Sequence, residues 1–461
     1  MKRTGILLSA GLLALCGALA GQARAAGFAL VEHSASGMGT AFAGAGAAAH
    51  DPSTVWFNPA GMTRLQGAQM SAALHAIIPS ADFTDKGSYI NPALTGNNVT
   101  PGSLSGANAD GGVTAAVPNF YYVRPFSPDL YFGLAINVPF GLETDYPADW
   151  VGRYHALNSK VATVNINPSL AYRVSPKLSI GGGISAQYIK VDLSSAIDSG
   201  ALCLKLAQTT AQQAACATAG LLPNTVANDS QVEISGDDWS FGVNLGLLYD
   251  VTPSLRLGLA WRSAIDQDLS GSADFTVNAA LQTVLTTAGV PLLQDTGVRA
   301  TASLPQSATL SAAWQVTPEV ELLADATWTG WSSFDELRIK FDNPAQPDAV
   351  TDESWEDVWR FGLGVNYHYS SRLTLRGGLA YDNEPIPDAE HRTPRIPGND
   401  RTWVAAGAGL RLGPRLSLDF GYAHLFVDDT PINHTDDNGY ALRGVYENSV
   451  DILSAQLNWQ F

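Results

Sequence analysis

The chain has 461 residues, 46% of them apolar and only 15% charged, and its 43 acidic and 26 basic residues give a formal charge of −17. Soluble domains carry about 25% charged residues, so this composition indicates that part of the surface does not face water. The acidic balance argues against nucleic acid as a partner, because contact with phosphates requires a basic face. The length is compatible with two or three soluble domains or with one large β architecture.

Residues 1–25 are predicted to form a secretory signal peptide. Lys2 and Arg3 give a basic start, the run 6–20 is apolar, and small residues at 23 and 25 fit a cleavage site before Ala26. The run of about 15 apolar residues is shorter than the ~20 that a spanning helix needs, and no later segment offers a longer one. We therefore expect an exported protein without a membrane-spanning helix.

Removal of the signal peptide leaves two cysteines, Cys203 and Cys216, in one loop-like segment. Outside the cytoplasm the environment is oxidising, so this pair is a candidate for a disulfide. Two free thiols are the alternative.

The mature chain alternates between apolar and polar residues over long segments. Leu257, Leu259 and Trp261 fall on one side, and Arg256 and Arg262 fall on the other. A period of two with one apolar face is typical of a half-buried strand. Long strands of this kind that recur along a chain predict an outer-membrane barrel, in which the apolar side faces lipid.

The connections between the alternating runs fall into two classes. Proline marks most of the short ones, because it presets a turn and cannot donate to a strand ladder. The short connections lie at 126–129, 174–177, 251–254, 316–319, 369–372 and 412–415. The long polar ones lie near 84–114, 146–158, 196–230, 271–299, 341–352, 383–400 and 428–447. Six short and seven long connections predict 14 strands, with both ends of the barrel on the short-turn, periplasmic side.

The last alternating segment ends on an aromatic residue, Phe461. Such an ending resembles the C-terminal signal by which the barrel-assembly machinery recognises outer-membrane proteins. The sequence therefore predicts an all-β membrane protein, a 14-stranded antiparallel transmembrane β-barrel over 67–461. A soluble β-sandwich is the alternative, but it does not explain strands this long or loops this one-sided.

Residues 26–66 do not alternate and are rich in glycine and alanine. This composition fits short helices and close backbone packing. The low charge favours a plug in the barrel lumen over a solvated tail. The predicted organisation is thus a signal peptide at 1–25, an N-terminal hatch at 26–66 and the barrel at 67–461.

Motifs along the whole mature chain make it resemble the FadL family of outer-membrane transporters for long-chain fatty acids and hydrophobic hydrocarbons. The N-terminal matches are the most specific. The matching segments are 26–28, 32, 34–39, 43–44, 58–62, 140–142, 167–173, 261–263, 381–388 and 397–401.

The resemblance implies a barrel with a lumenal hatch and a mechanism of passive uptake. An apolar ligand is captured by extracellular loops, passes to a lumenal pocket beside the mature N-terminus, and leaves sideways at a kink in the third strand when the hatch moves. The resemblance also implies that Asn58 lies near this kink. It assigns ligand binding and gating to Phe28, Asn58, Pro59, Ala60, Phe140 and Gly141.

Two features of the residues themselves fit these steps. Pro139 cannot donate a hydrogen bond and Gly141 packs no side chain, so this part of the strand is expected to bulge or bend, with an ordinary barrel corner as the alternative. The Ala/Leu-rich stretches 201–222 and 277–293 predict short amphipathic helices that either pack together or form a capture groove. The expected capture residues are Leu202, Leu204, Leu206, Leu285 and Leu292.

The chain departs from the family where fatty-acid transporters place basic residues in the lumenal pocket. The corresponding positions fall near Ser195 and Thr351, and neither is basic. Other cations could face the lumen, although each could instead pair with a lumenal acid. These cations are Lys190, Arg256, Arg262, Arg360 and Arg376. The sequence therefore leaves open whether the ligand is a fatty acid or a neutral hydrocarbon.

Two other kinds of outer-membrane barrel compete with an uptake channel, namely a lipase- or protease-type enzyme and a general porin. No local motif singles out a catalytic triad, so no catalytic residue is predicted. A lumenal plug argues against an open porin. The absence of a phosphate loop and of paired Cys/His spacing predicts neither a cofactor nor a metal site.

The expected partners follow from an uptake channel in the outer membrane of a Gram-negative cell. They are hydrophobic small molecules, outer-membrane lipid and lipopolysaccharide, and the barrel-assembly machinery during biogenesis. The chain is expected to be a monomer and to bind no nucleic acid.

Overall fold

The computed structural model describes residues 27–91 and 102–461, so the predicted signal peptide at 1–25 lies outside the described residues. The described residues form one antiparallel sheet that closes on itself. β1 (Gln69–Asp85) pairs with β4 (Ala115–Pro125) on one side and with β22 (Tyr440–Gln460) on the other. Closure leaves the sheet without a free edge, which is how a β structure satisfies its backbone groups in a membrane.

The remaining elements complete the sheet and its connections. The other strands are β2 (Tyr89–Ile90), β3 (Gly102–Ser103), β5 (Leu130–Asn137), β6 (Gly141–Asp145), β7 (Asn158–Arg173), β8 (Leu178–Ile197), β9 (Ser230–Asp250), β10 (Leu255–Arg262), β11 (Ile265–Thr276), β12 (Thr296–Leu304), β13 (Ser307–Gln315), β14 (Val320–Thr329), β15 (Glu336–Phe341), β16 (Ala349–Asp352), β17 (Val358–His368), β18 (Leu373–Asp382), β19 (Arg401–Arg411), β20 (Leu416–Val427) and β21 (Thr430–Thr435). The helices are α1 (Ala35–Met38), α2 (Ala45–Ala48), α3 (Thr54–Phe57), α4 (Ser199–Leu206), α5 (Thr210–Thr218) and α6 (Ala279–Ala288), with 3-10 helices at Pro59–Arg64, Val226–Asn228 and Trp331–Ser333. No helix among the described residues is both long enough and apolar enough to cross a membrane.

The 22 described strands make a wall of 14, which confirms the predicted barrel. β2 and β3 pair with each other in the first long loop and are not counted among the 14, although β2 also pairs with β22 and so extends the ladder that β1 forms with that strand. Six wall strands are interrupted, so that each consists of two consecutive labelled strands. Both halves of such a strand pair with the same adjacent wall strand. These interrupted strands are β5/β6, β10/β11, β12/β13, β14/β15, β16/β17 and β20/β21.

Each of the six predicted short turns joins consecutive wall strands at the residues expected. β4 ends at Pro125 and β5 begins at Leu130, and the same four-residue connection recurs at the other five turns. The Phe126 N–H closes the first turn by donating to the Leu130 carbonyl (2.8 Å). The short turns therefore share one end of the barrel, and the long loops share the other.

Apolar side chains of the alternating strands point outward. Leu259 is 51% exposed and Leu379 is 57% exposed, whereas their neighbours of opposite parity face the lumen. Large apolar side chains on the outside are expected of a wall that faces lipid. The outward faces thus account for the low charge of the composition.

The N-terminal segment, residues 27–66, lies within the barrel. Its helices contact wall strands on opposite sides, with α1 against β19 and β20 and α2 against β10 and β13. Glycines in the wall strands let the backbone of the N-terminal segment approach the backbone of the wall closely. A Cβ at Gly407 would lie 2.7 Å from the Gly39 Cα, and one at Gly181 would lie 2.6 Å from the Ala60 nitrogen. The small residues that set this segment apart in the sequence are those that packing inside a barrel requires.

Candidate functional site

The third wall strand is interrupted between Asn137 and Gly141. Asn137 pairs with Asn165 of β7, and Gly141 pairs with Ala162, so three residues face two on the neighbouring strand. One extra residue on one strand is a β-bulge, and Pro139 within it cannot donate to the ladder. The bend that the sequence predicted at this position is therefore present as a break between β5 and β6.

The N-terminal segment supplies the hydrogen bonds that the break leaves open. The Leu30 N–H donates to the Pro139 carbonyl (2.9 Å), and the Gly141 N–H donates to the Phe28 carbonyl (3.0 Å). Ala29 pairs with Phe140 between these two bonds as an antiparallel neighbour. Since β4 pairs with β5 only as far as Phe120 opposite Ile136, residues 28–30 take the place of a wall strand beside the break.

A cluster of five aromatic rings holds Phe28 in this position. The ring of Phe28 is 7% exposed, and its centroid lies 4.9 Å from Trp331, 5.8 Å from Trp355, 5.9 Å from Phe140 and 6.0 Å from Phe334. We call these five residues the aromatic latch. Buried aromatic groups contribute both buried area and ring–ring contacts, so the latch stabilises the N-terminal segment in this position.

Sequence reasoning named Phe28 and Phe140 but missed the other three rings of the latch. Trp331 and Phe334 lie in the interruption between β14 and β15, and Trp355 lies in the interruption between β16 and β17. The signal that could have found them is the presence of large aromatic residues outside the alternating runs. Only the fold brings these two interruptions to the N-terminal segment.

A cavity lies next to the break. Pro139 and Phe140 line both the break and the cavity. The N-terminal segment and β9, β10, β13 and β14 form the other walls, with Leu30, Val31, Phe42, Trp56, Phe57, Leu245 and Trp261 among the apolar lining residues. The lining suits an apolar ligand, because most of it is aliphatic or aromatic.

Arg262 brings a positive charge into this cavity without an acidic partner. Its guanidinium stacks 3.4 Å from the centroid of the Trp56 ring and donates to the Trp56 carbonyl (3.0 Å) and the Ser185 hydroxyl (3.2 Å). Within the described residues it forms no ion pair. Arginine on an aromatic ring in an apolar setting keeps its charge and its free donors, so it can bind a carboxylate.

The other four cations named from the sequence each have an acid nearby. Arg360 also lines the cavity, but it lies 3.8 Å from Asp325 and donates to the Ala41 carbonyl (2.6 Å). The remaining three pair at shorter distances. They are Lys190 with Asp192 (3.1 Å), Arg256 with Asp250 (2.9 Å) and Arg376 with Asp419 (2.7 Å).

Two titratable residues of the N-terminal segment are buried beside the cavity. Burial, together with the charges of His75 and Arg262, lowers the pKa of His33 to about 3. Burial likewise raises the pKa of the Glu32 carboxyl above its usual range. His33 lines the cavity and is neutral at physiological pH, so it adds no charge to that of Arg262.

The Asn58-Pro59-Ala60 motif fastens the N-terminal segment to the wall. The Asn58 side chain donates to the carbonyls of Gly46 (2.7 Å) and Leu247 (3.0 Å) and accepts from the Ala60 N–H (3.1 Å). These bonds tie Asn58 to Gly46 within the N-terminal segment and to Leu247 of β9. Pro59 lines the cavity, and Ala60 is fully buried.

The expected capture region forms three helices at the long-loop end. A disulfide between Cys203 and Cys216 joins α4 to α5, with a Cα–Cα separation of 6.0 Å. Leu285 is only 1% exposed and packs in the core between the helices, so it is not available to a ligand. The other expected capture residues are partly exposed, namely Leu202, Leu204, Leu206 and Leu292.

Comparison with known proteins gives a consistent result. A family model described as outer membrane protein transport protein (OMPP1/FadL/TodX) matches residues 16–461. The long-chain fatty acid transport protein of Escherichia coli (strain CFT073) is 32% identical over 408 residues, covering 88% of this chain and 87% of that protein. The protein of the same name from strain K12 is 29% identical over 426 residues, covering 89% and 90%.

Solved structures share the architecture. A FadL homologue from Pseudomonas aeruginosa superposes with a TM-score of 0.83 at 24% identity, covering 95% of this chain and all of that one. The toluene transporter TbuX from Ralstonia pickettii gives a TM-score of 0.65 at 18% identity, covering 93% and 98%. At these identities the likeness shows the fold alone.

Proposed function

Because the chain belongs to the OMPP1/FadL/TodX family of outer membrane transport proteins and so lies in the outer membrane of a Gram-negative cell, we propose that it takes up hydrophobic compounds by lateral release through its wall. The ligand enters from the long-loop end, occupies the cavity beside Phe28, and leaves into the bilayer between β4 and β6. Movement of residues 28–30 opens that path.

One observation carries this proposal: the backbone of the N-terminal segment completes the wall at a bulged, proline-containing break beside the cavity. The bonds from Leu30 to Pro139 and from Gly141 to Phe28 close the gap when the segment is in place. Withdrawal of residues 28–30 would leave an opening in the ladder next to an apolar cavity. An apolar ligand would then meet lipid without crossing water.

The cavity favours an apolar ligand with one acidic group. Arg262 has no acidic partner within the described residues, and a carboxylate would satisfy its charge where water is scarce. Several relatives are named as long-chain fatty acid transport proteins, which supports a fatty acid as the ligand. A neutral hydrocarbon is the second candidate, supported by the toluene transporters among the solved structures.

Capture at the long-loop end is assigned to the partly exposed leucines of α4 and of the segment that follows α6. Leu202, Leu204, Leu206 and Leu292 surround the buried core that contains Leu285. The disulfide fixes α4 against α5, so the exposed apolar side chains keep one arrangement. A rigid apolar face of this kind can hold an alkyl chain before it enters the lumen.

We also propose that transport involves no catalytic step and that the protein acts as a monomer. The names of the relatives describe transporters, and neither a lipase-type enzyme nor an open porin explains the N-terminal segment in the lumen. Lipid and lipopolysaccharide around the wall, and the barrel-assembly machinery during biogenesis, remain the predicted partners.

The test is uptake of radiolabelled compounds by cells with and without this protein. The expected result is faster uptake of a long-chain fatty acid in cells that contain the protein, with a smaller effect for an alkane of equal chain length. Equal uptake of both compounds would favour a neutral hydrocarbon as the ligand. No difference between the two cell types for any apolar compound would overturn the transport function.

A further inference from the structure

A second large cavity lies at the short-turn end of the lumen, below the N-terminal segment. Its lining is mostly polar. The turns 369–372 and 412–415 form its rim, and His50, Asp51 and Arg64 of the N-terminal segment form its roof. We call this cavity the vestibule. The proposed uptake path does not use it, because that path leaves through the wall above.

Five arginines line the vestibule, and two of them have acidic partners. Arg64 pairs with Asp250 (2.9 Å), and Arg376 pairs with Asp419 (2.7 Å). The other three form no ion pair within the part of the chain that the structure describes. They are Arg372, Arg411 and Arg415.

These three arginines lie side by side on neighbouring strands. The Arg411 N–H donates to the Arg372 carbonyl (2.8 Å), so the two side chains come from directly opposed positions. Ser417, which pairs with Arg411, is two residues from Arg415 on the same face. Like charges opposed across a sheet are unfavourable, and an anion between them would relieve the repulsion.

The acids that line the vestibule are already engaged. Asp51 accepts from the Ser36 hydroxyl (2.5 Å) and the Ser53 N–H (2.9 Å). Asp419 accepts from Arg376 and from the Asn458 side chain (2.6 Å). No carboxylate in the lining is thus left to neutralise the three arginines.

The positive charge of this group contrasts with the negative net charge of the whole chain. The full sequence carries a charge of −17, yet the lining of the vestibule holds five arginines and two aspartates. Arginine is the side chain best suited to bind phosphate, because its planar fork offers two parallel donors to two oxygens. We propose that the vestibule is a binding site for phosphate-bearing anions, held by Arg372, Arg411 and Arg415.

The phosphate could come from a soluble anion in the periplasm or from the headgroup of a phospholipid at the rim, and two measurements distinguish these sources. Calorimetry of the full-length protein in a neutral detergent measures binding of inorganic pyrophosphate. Native mass spectrometry after reconstitution in vesicles measures retained lipid, with phosphatidylglycerol compared against phosphatidylcholine.

The test variant is R372Q/R411Q/R415Q. A matched control, R299Q/R338Q/K340Q, removes three cations at the opposite end of the barrel, where Arg299 and Arg338 pair with acids. The gel shift that folded barrels show before heating verifies that each variant is folded.

The expected result is binding of pyrophosphate or selective retention of phosphatidylglycerol by the wild type and the control, weakened about tenfold or more in the test variant. Binding of pyrophosphate would identify the ligand as a soluble anion. Retention of phosphatidylglycerol alone would identify it as a lipid headgroup. If neither probe binds the wild type, or if the test variant and the control bind alike, the proposal is overturned. Uptake of apolar compounds is not part of this test, so its outcome is independent of the proposed function.

Discussion

Ala29 of the N-terminal segment and Phe140 of the interrupted third wall strand are antiparallel neighbours, flanked by hydrogen bonds of 2.9 and 3.0 Å. Two short stretches that lie far apart in the sequence therefore form one piece of β-ladder. The wall is continuous at this point only while residues 28–30 stay in place.

Replacement of Phe28 by alanine should loosen the N-terminal segment. The substitution removes the central ring of the aromatic latch, and loss of a buried phenylalanine costs about 3 kcal/mol or more. Hydrogen exchange of the amides of residues 28–42 should become faster in the purified protein. Phe126→Ala is the control, because Phe126 is 60% exposed on a turn and its loss should leave exchange in this segment unchanged.

Replacement of Arg262 by glutamine should weaken binding of a fatty acid but not of an alkane. A hydrogen bond to a charged group contributes about 1.5–3 kcal/mol, so an affinity loss of about tenfold or more is expected for the carboxylate. Binding of both compounds to the purified variant is the measurement. Equal losses for the two compounds would show that Arg262 supports the shape of the cavity rather than the charge of the ligand.

The contact of the N-terminal segment with the wall should depend on pH through His50. Its imidazole lies 2.9 Å from Glu321, and although burial opposes the charged form, the charge and hydrogen bond of Glu321 raise the pKa of His50 above 6.5. The ion pair therefore contributes its full stabilisation below the ordinary histidine pKa. That stabilisation is lost as the pH rises through the raised pKa of His50.

The melting temperature of the wild type should accordingly fall between pH 6 and pH 9 by more than that of His50→Gln. The glutamine can still donate a hydrogen bond to Glu321 but carries no charge. An identical pH dependence in the two proteins would show that the ion pair of His50 and Glu321 does not stabilise the fold.

Loss of the disulfide should affect the capture region and leave the barrel intact. The bond closes a loop with a sequence separation of 13, for which loop-closure entropy predicts about 3 kcal/mol. C203S/C216S should therefore be cleaved faster by proteases within 199–228, while the melting temperature of the barrel stays the same. A fall in that temperature would indicate that the loop helices support the wall.

The six short turns and the number of wall strands could be predicted from the sequence, and the reason is local. The predicted loop at 428–447 was wrong, because β21 and the first residues of β22 pair with each other there. Each strand repeats every two residues because one face meets lipid, and each short turn is marked by residues that favour it. The six turns and the count of 14 strands follow from these two rules alone. The bulge at 138–140 could also be predicted from local sequence, because Pro139 cannot donate to the ladder and Gly141 packs no side chain.

The site was less predictable because its parts meet only in the folded chain. Trp331 and Trp355 join Phe28 across some 300 residues, and no periodicity marks them. Arg262 differs from Lys190, Arg256, Arg360 and Arg376 in having no acid nearby among the described residues, which depends on strand pairing. Asn58 bonds to Leu247 of β9 for the same reason, and the buried position of Leu285 depends on how α4 and α6 pack.

A reversible cross-link between residues 29 and 140 tests the central claim most directly. Opposed residues without mutual hydrogen bonds lie about 4.5 Å apart at Cα, which is within the range of about 4.4–6.8 Å for a disulfide. Ala29→Cys and Phe140→Cys are combined in one chain, and uptake of a fatty acid is measured in oxidised and reduced cells, with each single variant and the wild type as controls. We predict that oxidation stops uptake in the double variant alone and that reduction restores it. Undiminished uptake by the cross-linked protein would contradict lateral release through this break.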